Sequence, residues 1–137
     1  MGKKVNMERV KAYPVYFIKN SSGGYTVFNN AIGMVSEGKD LEEAISMSKD
    51  AIELLAYDFL LDGEDFPLPE DSYGTDEKYD FVNYIVCDLN RYFRLDSKNK
   101  VKKNCTIPES LARAGESKGL NFSKVLTYAL EKELIKE

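Results

Sequence analysis

The side chains able to do chemistry in this chain are few, and their types restrict what they can do. The 137-residue sequence contains no histidine, so no Ser–His or Cys–His nucleophile pair can be assembled. Its two cysteines, Cys87 and Cys105, lie in segments that read as strands. A structural metal site needs about four ligands, so both are read as small apolar core residues in a reducing cytosol. Carboxylates, lysines and tyrosines remain, and their arrangement points to binding. No catalytic residue, cofactor or metal is expected.

The placement of charge is informative. Residues 1–95 hold ten Lys/Arg and seventeen Asp/Glu, a net of −7; residues 96–137 hold nine and six, a net of +3. An acidic front and a basic back imply two partners of opposite charge. The first eleven residues are polar and basic, unlike a signal peptide, and no run reaches the ~18 apolar residues that span a membrane. A cytoplasmic protein with no membrane partner is expected.

The elements that must position these charges follow from local pattern. Residues 12–19 (AYPVYFIK) are β-branched and aromatic and predict a strand, with Pro14 near its start. The Asn20-Ser21-Ser22-Gly23-Gly24 run is a turn, and residues 25–28 return as the second arm of a hairpin. Residues 33–38 predict a third short strand. Asp40 is a good N-cap and Glu43 completes a capping box. Leu41, Ala44, Ile45, Ala51, Ile52, Leu55, Ala56 and Phe59 then share one helical face. Gly63 suits the helix terminus. The opposite face carries Glu42, Glu43, Lys49, Asp50, Glu53 and Asp58. Residues 64–78 predict a loop, 81–87 an apolar strand, and 89–95 a short helical turn after Asp88. This order describes an α+β fold, a small antiparallel sheet with one packed helix.

The tail follows a different pattern. Residues 102–107 alternate as a strand that stops at Pro108. A short helix over 109–117 ends near Lys118-Gly119, and Asn121 caps a second helix with Phe122, Val125, Leu126, Ala129 and Leu130 on one face. One strand and two short helices cannot bury a core alone, so this unit needs a copy of itself.

The front portion resembles the HicB antitoxin family. The resemblance is carried by Tyr13-Pro14-Val15-Tyr16-Phe17, Gly23-Gly24-Tyr25, Gly33-Met34-Val35-Ser36-Glu37-Gly38 and Leu41-Glu42-Glu43-Ala44. In the tail, Thr106-Ile107-Pro108 and Asn121-Phe122-Ser123-Lys124-Val125-Leu126 look like the DNA-binding end of the same family. The resemblance implies a partial ribonuclease-H-like front fold. It also implies a HicA-type partner, a small basic mRNA-degrading toxin, and repression of the chain's own operon. The strand, proline stop, helix, turn and helix of the tail favour a ribbon–helix–helix unit.

A working ribonuclease-H site would need acids converging on two metal ions about 4 Å apart, one of them in the middle of the first strand. Residues 12–19 contain none. The expected division is a toxin-binding domain over 1–95, a linker over 96–101, and a dimerising DNA-binding domain over 102–137. Alternation places Lys102, Asn104 and Thr106 toward bases. Cys105 and Ile107, with Val125, Leu126 and Leu130, form the dimer core. Lys100, Asn121, Phe122, Ser123 and Lys124 face phosphate, the last four at a helix N-terminus. Glu42, Glu43, Asp50, Glu53 and Asp58 are the candidate toxin contacts. The partners expected are a HicA-type toxin, operator DNA, and a second copy, as a homodimer or a dimer of dimers. The rival readings are a stand-alone ribbon–helix–helix regulator with a ligand-sensing front domain, and a nuclease.

Overall fold

The structure, a computed structural model, describes residues 9–70, 78–95 and 99–135. The 64–78 loop and the 96–101 linker therefore fall partly outside the described residues, at 71–77 and 96–98.

The predicted hairpin forms. Strand β1 (Val10–Lys19) pairs antiparallel with β2 (Tyr25–Asn29), and β2 pairs antiparallel with β3 (Met34–Gly38). After helix α1 (Leu41–Leu61), β4 (Phe81–Asp88) returns to pair antiparallel with β1, giving the order β3-β2-β1-β4. Strand β1 is therefore internal, although Pro14 sits within it. The β1–β2 register runs only from Tyr16 to Lys19, so Pro14 lies where β1 is paired on one side alone, and no second ladder needs its missing donor. The Pro14 carbonyl instead accepts from Asn29 Nδ2 at 2.8 Å.

Alternation along the strands builds the core. Tyr13, Val15 and Phe17 of β1, Val27 of β2, Met34 of β3, and Ile85 and Cys87 of β4 are buried beneath Ala44, Ile52 and Ala56 of α1. Full burial of side chains this large contributes about 1.5–3 kcal/mol each. Phe17 stacks on Phe81 at 4.7 Å between centroids. The Tyr13 hydroxyl donates to the Pro67 carbonyl at 2.7 Å, and Phe66 fills the space beside it, so the acidic segment after α1 is fixed to the core through residue 67.

Helix α1 starts as its sequence predicts, with Asp40 accepting from the Glu43 amide at 2.8 Å. Glu43 does not close the expected box: its carboxylate accepts from the Lys39 amide, one residue earlier. The helix ends at Gly63, whose φ of 72° is the left-handed turn read from the sequence. Leu41 is exposed rather than part of the buried face; in the first turn it is Ala44 that meets the sheet, packed against Gly38 at the end of β3. Ser48 is buried instead, its hydroxyl bonded to the Ala44 carbonyl at 2.7 Å.

The thiols separate sharply. Cys87 is buried, and desolvation, helped by the negative charge of Glu53, pushes its pKa up to about 12. Cys105 is exposed, which corrects its reading as a core residue of the single chain: none of the described residues buries it. A thiolate reagent near pH 8 should thus modify Cys105 quickly and spare Cys87 in the unpaired native chain, and modify both after denaturation. Two fast thiols in the native state, counted by mass spectrometry, would contradict this packing.

Candidate partner-binding surfaces

The acids of α1 are not one solvated face. Glu53 is 0 % exposed, which overturns its assignment as a surface contact. Its carboxylate accepts from the Asp88 amide at 2.8 Å and from Lys49 Nζ at 2.6 Å, with Arg91 at 3.4 Å. It thereby bonds the otherwise open end of β4 and anchors helix α2 (Arg91–Leu95). Asp50 is similarly engaged. The Tyr92 hydroxyl and then the Arg91 guanidinium hold its carboxyl below the usual carboxylate range. Glu42, Glu43 and Asp58 remain exposed. Sequence periodicity could not separate these cases, because the groups that recruit Glu53 and Asp50 come from more than 30 residues further along.

The outward face of α1 is also more apolar than expected, with Met47, Leu54 and Leu61 exposed along it. On the far side of the sheet Val35, Tyr84 and Val86 are exposed. Beside them the Val82, Tyr16, Phe28 and Val35 register positions form a row across all four strands.

In the tail, helices α3 (Glu109–Ser117) and α4 (Phe122–Ile135) form where the sequence predicts them. The Lys124 amide donates to Asn121 Oδ1 at 3.1 Å, the expected N-cap. The Gly119 amide bonds the Glu116 carbonyl, and the Leu120 amide bonds that of Gly115, closing α3. The Phe122 ring lies over Gly115, so this residue joins the two helices as well as opening α4.

The expected strand at 102–107 is absent: residues 99–108 are neither helix nor strand, and all are exposed. The inside–outside division of Lys102, Asn104 and Thr106 against Cys105 and Ile107 is therefore not expressed within one chain. A strand exists only through its ladder, and none of the described strands pairs with this segment. Lys100, Ser123 and Lys124 are exposed as well. Helix α4 buries none of its side chains; Val125 is 51 % and Leu130 50 % exposed, and Leu126 is also open. These apolar positions share a face that none of the described residues buries.

Among the described residues no group of three or more Cys, Asp or Glu side chains is placed to hold a metal ion, and no helix is long and apolar enough to cross a membrane.

A four-stranded antiparallel sheet backed by one helix, followed by a basic two-helix tail, defines an α+β protein whose fold occurs in toxin–antitoxin systems. Over 90% of its length the chain is similar to 99% of a chain in a toxin–antitoxin complex from Streptococcus pneumoniae, at 23% identity and a TM-score of 0.53. Over 90% it is also similar to 96% of the Burkholderia pseudomallei antitoxin HicB, at 22% identity and a TM-score of 0.50. The fold is that of the HicB antitoxin. No family model and no curated protein matches the sequence.

Proposed function

We propose that this chain is a cytoplasmic, non-catalytic antitoxin that neutralises a HicA-type mRNA-degrading toxin with residues 1–95 and represses its own operon with residues 102–137. The observation that carries this reading is the fold shared with the antitoxin HicB along 90% of the chain. The charge division supports it, since an RNA-binding toxin is basic and suits an acidic domain, while a basic tail suits DNA. The uncovered apolar face of α4 supports assembly with a second copy, as a dimer or a dimer of dimers. On this reading the front sheet is a partial ribonuclease-H-like layer that binds, and the tail is a ribbon–helix–helix unit. Residues 102–107 become strand only when two copies pair them, and the two-stranded ribbon then enters the major groove.

The test is growth rescue. If a small basic protein is encoded beside this chain, its expression should arrest growth, and co-expression of this chain should restore it. The purified chain should also bind a duplex carrying its own promoter region. Arrest that this chain fails to relieve would rule out the antitoxin role.

A further inference from the structure

The outward face of α1 carries apolar side chains that the fold does not need. Met47, Leu54 and Leu61 recur every seven residues and are exposed, Leu61 at 65 %. They lie opposite Ala44, Ile52 and Ala56, which are buried against the sheet. At 1.5 Å per residue the row is about 21 Å long. In the segment that follows, Leu68 is exposed at 67 %.

The charge on this side has one sign. Between positions 50 and 70 the sequence holds seven Asp/Glu and no Lys/Arg. The nearest basic groups are already engaged, Lys49 by Glu53 and Arg91 by Asp50 and Glu53. Asp58, Asp62 and Glu64 are exposed. The last turn of α1 contains no basic residue, so the negative end of the helix dipole adds to their field.

We propose that this strip, centred on Leu54, Leu61 and Asp58, is where the chain grips its protein partner, and that the partner presents a basic surface with an apolar groove. The proposal rests on the antitoxin reading and names the site through which it acts. A second copy does not suit the strip, because pairing would bring Asp58, Asp62 and Glu64 against like charges. Nucleic acid is repelled by the same sign. A basic protein surface suits both features: the acids steer the encounter, and the leucines slow dissociation. A surface that binds RNA has this character, so the strip competes with RNA for it.

The test is titration of the full-length chain with the small basic toxin that growth rescue identifies as its partner, followed by calorimetry and by association kinetics at two salt concentrations. Leu54→Ala with Leu61→Ala should weaken binding at least tenfold, mainly through faster dissociation. Both side chains are exposed, so the thermal unfolding curve should barely move. Asp58→Asn with Asp62→Asn should slow association and flatten its salt dependence. Val35→Ala with Val86→Ala, on the far side of the sheet, should leave affinity within twofold. If the wild-type chain binds and the leucine pair binds equally well, the strip is overturned while the antitoxin reading stands. A loss confined to the Val35/Val86 pair overturns it too and moves the interface to the sheet. If the wild-type chain does not bind at all, both fall together.

Discussion

Replacing Gly38 with alanine should lower the unfolding free energy by about 3 kcal/mol, the upper part of the usual range for forcing extra atoms into a packed site. Gly38 ends β3, two residues before the Asp40 cap, and it is buried. A Cβ there would lie 2.3 Å from the Ala44 amide nitrogen, 2.6 Å from its Cα and 2.8 Å from the Glu43 carbonyl carbon. All three atoms are backbone, so no side-chain rotation can relieve the contact. The first turn of α1 would have to lift from the sheet, taking with it Ala44, which is fully buried, and the bonds that Asp40 and Glu43 make to the chain entry. Urea unfolding monitored by circular dichroism measures the loss. A loss below 1 kcal/mol would mean that the β3–α1 junction slides freely, against the close approach seen here.

This junction also marks how far the sequence is legible. Gly38 was recognisable as the end of a strand, and Asp40 as a cap, because those signals act within a few residues. The need for glycine comes from a helix backbone that the strand meets only after the chain has turned, and no local pattern records it. Glu53 fails for a similar reason. On a helical projection it belongs with the polar residues, and its burial depends on the Asp88 amide and Arg91 arriving from β4 and α2. The acidic stretch between positions 50 and 70 was plain in the composition. The exposed Met47, Leu54 and Leu61 beside it were not, because apolar residues on a helix are read as core until the fold shows which of them face water. In the tail the helices, caps and turn were legible, each being closed by bonds within a few residues. The strand at 102–107 was read from alternation, and alternation requires a ladder partner that one chain does not provide.

That missing partner leads to the second large effect. Leu126→Glu with Leu130→Glu should convert the full chain from a dimer or larger species into a 15.6 kDa monomer and weaken promoter binding at least a hundredfold. Neither side chain belongs to the buried core of the single chain, so the changes leave that core intact. Glutamate is also a good helix former, which keeps α4 intact. If α4 is the contact between two copies, the substitutions place four like charges into it, where each buried charge has no partner. If residues 102–107 become strand only by pairing with their copy, the same change removes the ribbon and with it the presentation of Lys102, Asn104 and Thr106 to bases. Asn104→Ala should act differently: the mass stays that of the assembled species, and binding to the promoter site falls by about 1–3 kcal/mol per lost base contact. Binding to a scrambled duplex should hardly change, since no charge is removed. Lys100→Ala should weaken both duplexes alike and flatten the salt dependence, as a phosphate contact does. Light scattering and binding titrations at two salt concentrations separate the three. If the Leu126/Leu130 pair leaves the mass unchanged, α4 is not the contact between copies. If Asn104→Ala weakens both duplexes equally, residues 102–107 attract DNA without reading it, and the ribbon–helix–helix assignment loses its support.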